Sequence, residues 1–234
     1  MTPAESLSLV AEFCSFIKGD LVSGADLLKH AEDEISSIPG RLFYKNFKAF
    51  MDGISTQNTD RRKIGEKLAE SDYGPDYGYA LLKYIGDSES ADKGTWLAYL
   101  IDAATKDFIT PNEAMYYASL ISRISLPALV FIRDNAEKIE IRDSGNTLVL
   151  NELAANNLVY DTNNNTVAFE YEAHMLNRYS LSYDKDPLPV IPELNRFPNK
   201  PEAIIDSQGS PYRGVKKEDT LVKDEILNIK TMKL

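Results

Sequence analysis

Residues 91–113 read ADKGTWLAYLIDAATKDFITPNE. Within them Leu97, Leu100, Ile101, Ala104 and Phe108 fall at i, i+3, i+4, i+7 and i+11. That is the spacing of one helix face, with Trp96 at its edge. The stretch then closes on Thr110-Pro111-Asn112-Glu113. A threonine oxygen there can accept from an exposed backbone amide. Proline fits the first helical position, where no amide hydrogen is needed, and the glutamate can reach back to the threonine amide. A second helix therefore starts at the corner, with Tyr117, Leu120, Ile121 and Ile124 inward. Two adjacent amphipathic helices joined by a tight corner predict a helical bundle.

Upstream the same period recurs. Leu9, Val10, Phe13 and Ile17 mark a first helix, and a second is expected from about Ala25 to Ile35. Pro39-Gly40 reads as a stop, after which Leu42, Phe43, Phe47 and Phe50 give a third. Asp60 is placed to cap a helix carrying Ile64 and Leu68, which Gly74-Pro75 ends. A further helix carries Tyr77, Leu81, Leu82 and Ile85 up to Gly86.

Downstream, Ser125 is placed to cap a helix with Leu129, Ile132, Ala136 and Ile139 inward. Another is expected over Thr147–Asn156, burying Val149, Leu150, Leu153 and Ala154. The period then changes: Leu158-Val159-Tyr160 and Thr166–Phe169 flank an asparagine-rich turn and predict one β-hairpin. A short helix or strand is expected around Ala173–Leu181. Six of the eleven prolines fall after Asp184, which no helix interior tolerates, so an extended arm is expected there. A last amphipathic stretch carries Leu221, Val222, Ile226 and Leu227.

The fold class is therefore mainly α. A helical bundle core spans 1–124, a winged-helix-like module with one β-hairpin spans 125–183, and a Pro-rich extended arm with a short C-terminal helix spans 184–234. The helix, helix, hairpin order of 125–183 carries the winged-helix expectation.

Composition narrows the chemistry. The 234 residues carry a net charge of −10 and 26% charged residues. A basic surface drives non-specific nucleic-acid binding, and this balance opposes it. The 125–183 module holds four basic residues (Arg133, Lys138, Arg142, Arg178) against eight acidic ones, and its expected recognition helix offers Asn151, Glu152 and Asn156 without a cation. Direct DNA contact through Asn151 or Arg142 is accordingly the lesser reading. One cysteine, Cys14, excludes a disulfide framework and a cysteine zinc cluster, and two histidines exclude a multi-histidine centre. There is no phosphate-binding glycine loop and no nucleophile elbow. The N-terminus lacks a basic signal-peptide region, and no apolar run spans a bilayer, so a cytoplasmic protein without membrane insertion is expected. No catalytic residue and no cofactor are assigned.

The segments 38–50 (IPGRLFYKNFKAF), 79–85 (YALLKYI), 92–101 (DKGTWLAYLI) and 106–113 (KDFITPNE) together resemble a loose group of uncharacterised bacterial and prophage helical proteins. Lys83–Ile124 is also similar to the helical core of tellurite-resistance TerB-like domains. The resemblance implies a helical fold over about 38–140. It also implies acidic groups near a helix corner, which here are Asp102, Asp107 and Glu113, as oxygen ligands for a divalent metal. Phe108 stands where that pattern has glycine. A link to phage defence or counter-defence rests on the prophage resemblance.

The leading expectation is a non-catalytic interaction or regulatory protein with a protein partner and a possible homo-oligomeric state. Tyrosine and tryptophan are enriched at interfaces, and Tyr73, Tyr77, Tyr79, Tyr84, Trp96, Tyr99, Tyr116 and Tyr117 cluster in the middle helices; Tyr77, Tyr84, Trp96 and Tyr99 are the contact residues expected from that cluster. Leu221 and Ile226 add an aliphatic face in the arm. A winged-helix transcription regulator on duplex DNA and a TerB-like metal-binding domain are the alternatives.

Overall fold

The computed structural model describes residues 3–18, 22–33, 38–138, 140–142, 145–162, 166–186, 188, 189 and 191. The asparagine turn at 163–165, Ile139, and the arm from 192 onward, with Leu221 and Ile226, lie outside them. The described residues all belong to one compact unit within 1–194.

Helices dominate. In chain order they are α1 (Pro3–Ile17), α2 (Gly24–Asp33), α3 (Ile38–Thr56), α4 (Arg61–Ala69), α5 (Tyr77–Asp87), α6 (Ala91–Thr105), α7 (Pro111–Arg123), α8 (Leu126–Asn135), α9 (Thr147–Ala155) and α10 (Tyr171–Leu176). A π-helical turn, Asn177–Leu181, follows directly on α10. The strands β1 (Ile141–Arg142), β2 (Val159–Thr162) and β3 (Thr166–Phe169) form an antiparallel sheet in the order β1-β3-β2. Ile141 pairs with Val167, and Val159 with Phe169. The expected hairpin is thus β2–β3, and β1 adds a third strand to it.

The expected starts and stops are local chemistry. The Asp60 side chain accepts from the Arg62 amide. Thr110 and Glu113 complete both halves of the capping box that opens α7. Pro39, read as a stop, lies in the first turn of α3, where its missing amide hydrogen costs nothing.

Helix α6 is the axis of the unit. It is buried on nearly every side, including Lys93, Trp96, Asp102 and Thr105. Its most extensive contact is with α3, and small residues make that contact possible. A Cβ on Gly94 would lie 2.2 Å from the Asn46 carbonyl oxygen, and one on Gly53 would lie 2.7 Å from the Ala98 Cβ. Phe13, Phe47 and Phe50 pack edge to face beside this crossing. The other sides of α6 meet α4, α7 and the 177–181 turn. One hydrophobic core therefore runs from Leu9 to Tyr183, and the expected boundary at residue 124 falls inside it.

Two expected core positions turn outward. Phe108 is 48% exposed. The cause is the way α6 ends: the Phe108 amide bonds to the Ala103 carbonyl and the Asp107 amide to that of Ala104, a Schellman closure that puts Asp107 at φ +60°. The chain leaves the helix axis there, so the i+11 position does not continue the stripe. Ala154 is also exposed, because α9 buries a narrower arc centred on Leu150 and Leu153. The same closure recurs at Asn58 and Asn157, both at positive φ.

Buried His174 sits edge-on to Phe169, with ring centroids 6.1 Å apart. Burial pushes its pKa below the usual value, against hydrogen bonds to the backbone of Ala136 and Phe169. The unfolded chain then binds the proton first as pH falls. Stability is lost from about pH 6.5 down to the depressed folded value, by at most about 1.4 kcal/mol per pH unit. The melting temperature of His174→Gln should accordingly fall less than that of the parent between about pH 6.5 and 5. Parallel curves would assign the acid lability to other groups.

Candidate interaction surface

Helices α5 and α7 pack side by side and present one shared face. On α7 the positions Asn112, Tyr116, Ser119 and Arg123 lie at i, i+4, i+7 and i+11, and all but half-buried Ser119 are exposed. On α5 the flank toward α7 carries Ala80 and Tyr84, both half-buried. The turn before α5 adds Tyr73. Its hydroxyl hydrogen-bonds with the Tyr84 hydroxyl at 2.8 Å, and the Asp72 amide donates to Asn112 Oδ1 at 2.7 Å. Tyr116 is 45% exposed, and its ring leans on buried Tyr117 at 5.4 Å. The Tyr84 pKa is pushed up to about 12, first by burial and then by the Tyr73 hydrogen bond, with Arg123 pulling it down. Tyr73 and Tyr84 hold each other, Arg123 lies near Tyr84, and Tyr116 rests on Tyr117 in the same helix, so the surface is aromatic and preorganised.

The structure sorts the expected interface residues. Tyr84 lies on this face. Tyr77 is 1% and Trp96 5% exposed, so both are corrected to core residues. Trp96 lies at the edge of the leucine stripe as expected, but the 177–181 turn also packs against α6, and the Trp96 carbonyl accepts from the Ser180 hydroxyl at 3.0 Å. Tyr99 is half-buried and packs on Tyr183 at 5.7 Å, away from Tyr84. Tyr73 and Tyr116 belong to the aromatic cluster noted in the sequence, and Arg123 was not singled out. Their signal is positional: each lies just outside the buried arc of its own helix or turn.

The three candidate metal ligands do not converge. Asp102 is buried and saturated: Oδ1 accepts from the Thr59 hydroxyl at 2.8 Å, and Oδ2 from the Tyr183 hydroxyl at 2.8 Å and from Lys106 at 2.7 Å. Burial followed by the Asp102 bond drives the Tyr183 pKa strongly up, so the phenol stays a donor. Asp107 pairs with Lys67 at 2.7 Å. Glu113 accepts from the Thr110 amide at 2.6 Å. Helix ending, ion pairing and capping thus occupy the three carboxylates separately. Among the described residues no three His, Cys, Asp or Glu side chains group as a metal site.

Other reactive groups are tied into packing. Burial raises the Cys14 pKa, which disfavours the thiolate a nucleophile needs. His30 pairs with Glu12 at 2.8 Å. A cleft of about 620 Å³ opens between the ends of α1, α2 and α3, floored by Phe16, Leu28, Met51 and Ile54 with Asp52 and Ser55 at its rim. No helix among the described residues is long and apolar enough to cross a membrane.

A second polar cluster joins the two halves of the unit. Buried Lys93 donates to the carbonyl of Ile124 at 2.6 Å and that of Ser122 at 3.4 Å, and pairs with Glu89 at 3.4 Å. Glu89 accepts from the Leu126 amide. Glu152 accepts from both the amide and the hydroxyl of Ser125 at 2.6 Å. Ser125 stands at the expected cap position, but its hydroxyl is turned to Glu152 instead of the first turn of α8. Both helix ends at the α7–α8 corner are closed by charged side chains from α6 and α9 or, for Glu89, from the turn before α6.

No family model, curated protein or solved structure matches this chain.

Proposed function

We propose that the protein acts by binding another protein, with the α5–α7 face as its contact surface. The observation that carries this reading is exposed Tyr73, Tyr116 and Arg123 with half-buried Tyr84, Tyr73 and Tyr84 being fixed by their 2.8 Å bond. Tyrosine and arginine supply large contact area at little entropic cost, and interface hot spots are enriched in both. A cytoplasmic bacterial or phage setting, including a role in defence or counter-defence, follows from the resemblance. The test is capture of partners from nuclease-treated host lysate. Tyr116→Ala should reduce recovery of a stoichiometric protein partner at least tenfold, because truncating a hot spot costs about 2 kcal/mol or more. Equal recovery with equal melting temperature removes Tyr116 from the interface.

A winged-helix regulator is the second reading. It is favoured by the strand order β1-β3-β2 with α9 between β1 and β2. It predicts duplex binding that weakens steeply with salt. The exposed residues of α9 carry no cation, and its one charge, Glu152, is turned to Ser125. A flat titration at low salt removes this reading.

A further inference from the structure

The cleft between the ends of α1, α2 and α3 holds about 620 Å³, within the range of sites that enclose a small organic molecule. Its floor is apolar: Phe16, Met51 and Ile54 are buried there, and Leu28 is half-buried. Its polar lining is one-sided. The Ser23 hydroxyl donates to Asp26 Oδ2 at 2.6 Å, that of Ser55 to the Met51 carbonyl at 3.0 Å, and that of Thr59 to Asp102 Oδ1 at 2.8 Å. A hydroxyl has one proton, so these three have only lone pairs left for a ligand. Asp52, the one ionisable side chain lining the cleft, is exposed and is an acceptor as well. Asn58 can turn either end of its amide inward. No lysine or arginine lines the cleft.

The backbone adds to this bias. Helix α3 ends at the cleft, where the Asn58 amide bonds to the Ser55 carbonyl and the Thr59 amide to that of Ile54. Its last turn holds no basic residue, so the negative end of a 19-residue helix borders the cleft without a cation. Helix α2 starts there, and its N-terminal amides favour an anion. Asp26 in its first turn, bonded to Ser23, already supplies one.

We propose that this cleft binds a small organic amine in its ammonium form, with the apolar body on the floor and the charged nitrogen at Asp52 and the end of α3. The ammonium brings only donors to a rim of acceptors, and it brings positive charge to a helix end that has none. A carboxylate or phosphate in the same place would face lone pairs and the Asp52 charge. Met51 is unbranched, so the floor can adapt to the shape of the apolar body. The cleft shares no residue with the α5–α7 face, so either site can fail without the other.

The experiment titrates the full chain, carrying methyl-labelled methionine, with tryptamine and with indole-3-propionate. The two probes share a ring and a two-carbon chain and differ in bearing an ammonium or a carboxylate. Met51 in the floor reports binding by its methyl resonance, and buried Met115 in α7 is the control. Tryptamine should shift Met51 and not Met115, with a dissociation constant of about 1 mM, as its size allows. Indole-3-propionate should bind at least tenfold more weakly. Asp52→Asn should weaken tryptamine about fivefold, the upper end for an exposed ion pair, and should leave the carboxylate probe no weaker. Its circular dichroism should match the parent, because Asp52 is exposed. The proposal is overturned if Met51 does not respond to about 10 mM tryptamine, or if Met115 shifts equally. It is also overturned if the carboxylate probe binds as well as the amine, or if Asp52→Asn leaves tryptamine binding unchanged.

Discussion

Gly94→Ala should cost about 3 kcal/mol of folding stability, the upper end of overpacking effects. The added Cβ would stand 2.2 Å from the Asn46 carbonyl oxygen and 3.0 Å from its carbon. Backbone cannot rotate away as a side chain can, so α3 and α6 must separate. Their contact is the most extensive in the unit, and Gly53 against Ala98 lies on the same seam. The melting temperature should drop by about 6–12 °C for a unit of this size. Gly86→Ala is the matched control. Its Cβ would meet Phe43 at an ordinary 3.5 Å, and alanine in a helix is favoured over glycine by about 0.5–1 kcal/mol. The two variants should therefore move in opposite directions in urea unfolding. Equal stability for both would mean that α3 and α6 are not in close backbone contact.

Lys93→Ala has the second largest expected effect, also about 3 kcal/mol. The substitution leaves the Ile124 and Ser122 carbonyls without their ammonium donor at the end of α7, and it leaves a cavity beside α6. Burial, the main influence on Lys93, lowers its pKa, and Glu89 and Glu152 oppose that shift. Lys93→Met keeps most of the volume and loses only the donor, so it should cost about half as much. Hydrogen exchange should rise first at the α7–α8 corner, where the freed carbonyls lie. If Lys93→Met matches the parent, the ammonium group contributes nothing net and the corner is held by packing alone.

The helices, their caps and most core positions were legible because they depend on short spacings. Thr110 and Glu113 form the expected box, and Leu97, Leu100, Ile101 and Ala104 are buried as the period requires. What escaped was the full enclosure of α6. A helix wrapped on nearly every side has no polar face to read, so Trp96 was placed at the edge of the stripe and Asp102 among metal ligands, while both are buried. Lys93 was legible in principle: one step of four back from Leu97 places it on the leucine stripe. Gly53 and Gly94 carried no local signal, because what requires them is the tertiary approach of α3 to α6. Phe108 left the stripe because Asp107, a residue that tolerates positive φ, ended the helix one turn early.

The candidate surface was half legible. The cluster of aromatic residues is a property of the sequence, but which rings face outward depends on which helices cover them. Tyr77 and Tyr84 are separated by two turns on one helix, yet Tyr77 faces the core and Tyr84 the α7 flank. The metal candidates failed for a related reason. Short acidic spacings also serve helix ends, and here each carboxylate has its own backbone or cationic partner.

Photo-crosslinking in host cells tests the binding claim most directly. A benzoyl-phenylalanine is placed at Tyr116 in one variant and at Tyr79 in another. Both positions are exposed, but Tyr79 lies about 140° round α5 from Tyr84, on the other flank. A discrete protein adduct from position 116, absent from position 79, is the result expected of an α5–α7 contact surface. An adduct from position 79 alone, or none from 116 in cells that express the folded protein, would contradict it.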